Sequence, residues 1–199
     1  MSKSDPDHIK KERKKTIRWV VTIFLVTIFV SGAISLISDE IMSATGIAAS
    51  FAILLFIVVI GIVFDIIGVA VTSADESPFH SMAARKVKGA KEALRLLRKA
   101  ERVSSICNDV VGDICGVISG TAAATISAQL LVRYDFSWPT MITLMMSALV
   151  SGVTVGGKAI GKTFAVNSAT AIVHMVGKFI YWMNHIPELF RKNKKKNKR

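Results

Sequence analysis

The chain has 199 residues, 51% of them hydrophobic and 20% charged, with a mean hydropathy of +0.47. Its 26 Lys and Arg against 14 Asp and Glu give a formal charge of +12, which suits either nucleic acid or an anionic membrane surface. Two cysteines exclude a disulfide-stapled scaffold, and without CxxC, HExxH or GxGxxG patterns the common thiolate-metal, zinc-protease and dinucleotide readings fall away; no nucleotide site is expected either.

Residues 17–37, IRWVVTIFLVTIFVSGAISLI, carry one charge, Arg18. About 20 apolar residues suffice to cross the hydrocarbon layer, so this run predicts a first span. Its long basic leader and the following SDEIMSATG favour a retained anchor over a cleaved signal. Residues 46–72 predict a second span with one charge, Asp65. Residues 81–102 read as a helix or helical pair, with Leu94 and Leu97 among basic residues and Gly89 as a break. Residues 110–132 predict a third, weakly apolar span, where Gly112, Gly116 and Gly120 set a glycine groove on one face. The fourth, 138–155, opens on Trp138 and Pro139, and proline costs nothing in a first helical turn. Residues 164–183 contain Asn167, His174 and Lys178 and are expected as an amphipathic helix on the cytoplasmic surface, with Phe179, Tyr181 and Trp182 at headgroup level.

The basic residues set the expected orientation. Seven lie in 1–18, eight in 85–102, ten in 158–199 and one at Arg133. By the positive-inside rule the three rich segments face the cytoplasm, while the loops 38–45 and 133–137 face out. The expected architecture is an all-α membrane protein of four transmembrane helices plus cytoplasmic juxtamembrane helices, multi-pass in the plasma membrane, with both termini cytoplasmic. Residues 1–16 form a basic cytoplasmic segment, 17–37 an additional span, 46–183 the main transmembrane domain, and 184–199 a basic tail. That tail is expected to be disordered and to hold anionic lipid. Nucleic acid is not an expected partner, since no aromatic interleaving or recognition helix accompanies the charge.

Ionisable groups inside spans are costly and therefore mark candidate sites. Asp65 lies two turns before Thr72 and Ser73, and Asp75 and Glu76 follow. Where the third span begins come Ser104, Ser105, Asn108, Asp109 and Asp113; spacing by four puts Ser105, Asp109 and Asp113 on one helical face. Hydroxyl, amide and carboxylate oxygens are hard donors that suit Mg²⁺ or Ca²⁺. Structural roles compete with ligation: Asp75 and Glu76 as caps of the next helix, Asp109 or Asp113 as partners of Lys158, and Asp65 as a protonated packing residue. Cys107 and Cys115, about 12 Å apart on one helix, are too distant for a disulfide and read as small packing residues. No Ser, His and acid set stands in catalytic arrangement, so an enzyme is not expected.

Four segments then carry a resemblance. SADES at Ser73–Ser77, the basic run VKGAKEALRLLRKAERVSSI at Val87–Ile106, Cys107-Asn108-Asp109, and GKAIGKTFAV at Gly157–Val166 occur in the order of matching motifs in the transmembrane domain of the CorB/CorC and cyclin M family of magnesium transporters. The chain resembles that family over 46–183, without its cytoplasmic CBS pair and C-terminal domain. The resemblance implies a homodimer that holds a dehydrated Mg²⁺, with Co²⁺ as a second candidate ion, in an inward-opening cavity. It marks Ser73, Asp75 and Asn108 as ligands, with Asp109 and Gly112 in neighbouring positions. Departures fall at Cys107 for glycine, Asp75 for serine, Gly112 for asparagine and Gly161 for proline. Lys158 stands where the family has glutamate, which implies a gating or charge-partner role shared with Asp65 and Asp113. Two further readings stand beside transport: a non-transporting interaction or regulatory subunit with a lysine-neutralised site, and a lipid-binding scaffold acting through the tail.

Overall fold

A computed structural model describes the backbone over 6–134 and 137–196, and side chains over 13–14, 16–42, 44–134 and 137–185. The described residues are helical, without a strand, and four helical stretches are long and apolar enough to cross a membrane: Thr16–Met42, Ile47–Ser73, Ala100–Arg133 and Pro139–Asn167. Helix α1 runs Pro6–Ala44 and α2 Ile47–Ser73. Three short helices follow, α3 Ser77–Ala84, α4 Ala90–Leu97 and α5 Ala100–Ser105. A π-helical stretch Ile106–Gly112 leads into α6, Asp113–Arg133; α7 is Pro139–Asn167 and α8 Ala169–Lys196.

Several boundaries differ from the sequence expectation. The outer loop expected at 38–45 is helical through Ala44, because SDEIMSA contains neither glycine nor proline to stop it before Gly46. The fourth span continues twelve residues past Val155, so Phe164 and Asn167 belong to α7, and the amphipathic helix begins at Ala169. The tail expected to be disordered is helical to Lys196; its side chains from 186 onward lie outside the described residues, as does His8.

The chain divides into two compact units, 1–55 with 117–147, and 56–116 with 148–199. In the first, the apolar stretch of α1 is uncovered, and the helix is tied down at its C-terminal end. Gln129 Nε2 donates to the Met42 carbonyl at 2.6 Å, the fully buried Ser50 hydroxyl donates to the same oxygen at 3.3 Å, and Thr125 Oγ1 donates to Asp39 Oδ1 at 3.1 Å. Carbonyls at a helix C-terminus lack intrahelical partners, and Gln129 and Ser50 donate to that of Met42, while Thr125 holds the Asp39 side chain.

The second unit is built around Ala70 and Val71 of α2, Phe79 of α3, Ala93, Leu94 and Leu97 of α4, Ala165 of α7, and Ala169 and Val173 of α8. Gly89 stops the preceding turn in the left-handed region at φ 85° and precedes α4, which packs on α8. A Cβ on Gly89 would lie 2.5 Å from the Lys178 nitrogen, and one on Gly177 would lie 2.5 Å from the Gly89 carbonyl, so two glycines set the α4–α8 approach. On α2, Ile62 and Ile66 fill the notches over Gly157 and Gly161 of α7.

That packing also resolves a pattern in the sequence. Gly156–Thr163, GGKAIGKT, matches the GxxxxGK[ST] spacing of a phosphate-binding loop, although no nucleotide site is expected from the sequence. Such a loop follows a strand and leaves its amides free, whereas these residues lie within α7, with amides committed to the helix and two of the glycines receiving isoleucines.

Gly89→Ala and Gly177→Ala are each expected to lose about 1 to 3 kcal/mol of stability, as overpacked sites do. Gly152→Ala, where a Cβ meets nothing within 4 Å, is expected to be near neutral. Thermal unfolding of the detergent-solubilised protein checks the contrast.

Candidate intramembrane polar site

Within the second unit the polar residues of three helices meet. α2 contributes Asp65, 4% exposed in the midst of an otherwise apolar helix. The π-helical stretch contributes Asn108 and the Gly112 carbonyl, and α7 contributes Lys158 and Lys162, four residues apart. Lys158 Nζ donates to the Gly112 carbonyl at 3.2 Å. Lys162 Nζ stands 3.7 Å from Asp65 Oδ2, an ion pair too long to be a hydrogen bond. A Cβ placed on Gly112 would be 3.4 Å from Lys158 Nζ and 3.9 Å from Asp65 Oδ1, so the absent side chain lets an ammonium and a carboxylate approach one point.

One turn along α2, Gly68 receives Asn108. A Cβ on Gly68 would overlap the Asn108 amide oxygen, which explains glycine at this position. Asn108 Nδ2 donates to Ser104 Oγ at 3.2 Å, while Asn108 Oδ1 and Asp65 Oδ2 are buried without a hydrogen-bond partner among the described residues. Unsatisfied buried oxygens are uncommon and point to an unplaced water or ion, or to a functional role. Asp65 and Gly68 are three apart on α2, and Asn108 and Gly112 four apart facing it, so the two orphan oxygens sit on neighbouring turns of one helix pair.

The eight sequence-predicted site residues separate into two groups. Asp65, Asn108, Gly112 and Lys158 come together in the cluster. Ser73, Asp75, Asp109 and Asp113 are all exposed on the protein surface. Asp75 takes the capping role: its Oδ1 accepts from the Ser77 N–H at 3.2 Å as α3 begins. Glu76 makes no side-chain cap and instead pairs with His80 at 3.5 Å. Lys158 forms no ion pair with Asp75, Asp109 or Asp113 among the described residues; its bond to the Gly112 carbonyl takes the place of those pairings. Asp109 and Asp113, expected on one face with Ser105, are exposed together, with Ser105 half-buried, while Asn108 and the buried Gly112 turn inward within the π-helical stretch.

Lys162 was not among the sequence-predicted site residues. Its signal is the pair Lys158 and Lys162, one turn apart in a helix long and apolar enough to span, opposite a lone aspartate in another such helix. Cys115 fits its packing role, since a Cβ on Gly61 would come within 2.9 Å of the Cys115 Cβ. Among the described residues no group of three or more His, Cys, Asp or Glu side chains is arranged to hold a metal. Any ion here would therefore rest on a mixed set of one carboxylate, an amide and a carbonyl. Comparison with known proteins finds no matching family model, curated protein or solved structure.

Gly68→Ala is expected to destabilise the protein by displacing the Asn108 amide, and Asn108→Ala in the same chain is expected to restore about 1 kcal/mol or more of that loss. A double-mutant cycle on thermal midpoints measures the coupling; additive losses would place Asn108 away from Gly68.

Proposed function

We propose that the chain is a multi-pass plasma-membrane protein, with both termini cytoplasmic, that binds and moves a hard divalent cation, Mg²⁺ first and Co²⁺ second, without catalysing a reaction. The observation that carries this reading is the pair of buried oxygens without a hydrogen-bond partner among the described residues, Asn108 Oδ1 and Asp65 Oδ2, the second facing Lys162 at 3.7 Å, within helices of membrane-spanning length. Oxygen donors of this kind suit hard cations, and ionisable groups at such depth line ion pathways more often than they serve packing. The resemblance to magnesium transporters at Asn108 agrees with it. A homodimer is part of the proposal: Gly116 and Gly120 present an open face, with nothing within 4 Å of an added Cβ, where a second copy's helix can approach closely.

In this reading Lys158 is the internal competitor. Its ammonium neutralises the negative end of the Gly112 carbonyl, so a divalent ion enters as Lys158 swings away, and the stem is long enough to carry the charge toward headgroups. A transported ion then alternates between the two faces as the helices rearrange about it.

One observation favours a second reading, a non-transporting interaction or regulatory subunit. The cluster holds two ammonium groups, Lys162 on the Asp65 carboxylate and Lys158 on the Gly112 carbonyl, and a surplus positive charge of this kind opposes Mg²⁺. If Lys158 never leaves, the protein's own cation replaces the metal.

Mg²⁺ flux into dye-loaded liposomes distinguishes the two. Transport predicts flux in the unaltered protein, loss in Asn108→Ala, and a gain in Lys158→Glu. Folded protein that passes no Mg²⁺ either unaltered or as Lys158→Glu would remove the transport reading in favour of the second.

A further inference from the structure

We propose that α8 is a membrane-surface helix that docks on an anionic lipid leaflet through one apolar face and the basic run that follows it. At 100° per residue the helix has two opposed faces. Ala169, Val173 and Gly177 are buried on the side that joins the unit's core and α4. Met175, Phe179 and Trp182 lie on the opposite side, 70%, 60% and 60% exposed, with Met183 beside them. Among the described residues these four large apolar groups are left exposed, and such an ordered stripe is not what a water-facing helix presents.

Lipid is the occupant that the surroundings select. Only Ser168 separates α8 from α7, one of the four helices of membrane-spanning length, so the stripe starts beside a membrane-crossing segment. Phe and Trp on one face with Lys178 at its edge match an amphipathic helix lying in the headgroup region. The residues that follow supply the charge: seven of the nine at 191–199, RKNKKKNKR, are Lys or Arg with no acidic residue among them. A basic cluster of this kind next to a membrane-bound helix is attracted to anionic headgroups, each charge adding to the hold. The basic face of α4, with Lys91, Arg95 and Arg98 exposed, lies away from the side that α4 packs on α8. Its charges therefore do not compete for the apolar stripe's position. The inference is independent of whether the polar cluster binds an ion.

The test uses the full chain with Trp19→Phe and Trp138→Phe, which leaves Trp182 as the one fluorophore of its type. The protein is placed in lipid discs of phosphatidylcholine alone or of equal parts phosphatidylcholine and phosphatidylglycerol, each with and without brominated acyl chains. Bromine quenching of a blue-shifted Trp182, stronger in the anionic discs, is the expected result. Replacing the basic residues at 191–199 by glutamine should abolish the difference between compositions while the thermal midpoint holds. Equal quenching in both compositions would overturn the anionic preference. A Trp182 that bromine does not quench in either, whether red-shifted in water or shielded by a second copy or another protein, would overturn the lipid docking itself.

Discussion

A carboxylate in the middle of an apolar helix constrains everything around it. Asp65 is nearly inaccessible on α2, and an isolated charge there would be costly, so neighbouring helices must bring compensation to it. They do so from α7, with Lys162 on the carboxylate and Lys158 on the Gly112 carbonyl close by. Small residues make that approach possible. Gly112 leaves open a point flanked by the Lys158 ammonium and the Asp65 carboxylate, Gly68 leaves the space for Asn108, and Gly157 and Gly161 let α7 lie against Ile62 and Ile66. The charge arrangement and the close helix packing are one feature seen from two sides.

The π-helical stretch is the second device. Helical turns that take an additional residue are rare and tend to occur at functional sites. Here the stretch turns Asn108 and Gly112 toward α2 while Asp109 and Asp113 remain outside. The polar groups of this segment thus divide between an inward pair and an exposed pair.

The architecture was largely legible because it rests on long apolar runs: all four spans stand within a few residues of their expected starts except the third, and Gly89 breaks the segment before α4 as its residue type suggests. The ends were harder to read. Nothing in SDEIMSA stops a helix, and in VGGKAIGKTFAVN Gly157 and Gly161 are carried inside α7 by packing against Ile62 and Ile66, so α1 and α7 outlast their apolar stretches, and hydropathy alone cannot reveal that. Asp65 was legible for the same reason, as a charge in apolar surroundings, whereas Lys158 was counted in the basic segment beyond the fourth span and was marked only by the family resemblance. Asp75 was ambiguous between cap and ligand until its bond to the Ser77 amide was seen. The inward turn of Asn108 depends on π winding, which leaves no periodic trace in the sequence, and Lys162 depends on which face of α7 meets α2.

Charge compensation at Asp65 is best tested by comparing the stability of Asp65→Ala with that of Asp65→Ala combined with Lys158→Met and Lys162→Met. Removing one member of a buried pair strands its partner, at a cost of roughly 3 to 5 kcal/mol, whereas an apolar replacement of the whole group is often close to neutral. The exposed Lys162 lowers the expected size but not the sign. The predicted result is a single variant clearly less stable than the triple one, by thermal unfolding in lipid discs. A triple variant as unstable as the sum of its separate changes would contradict the compensation and leave Asp65 as a packing residue.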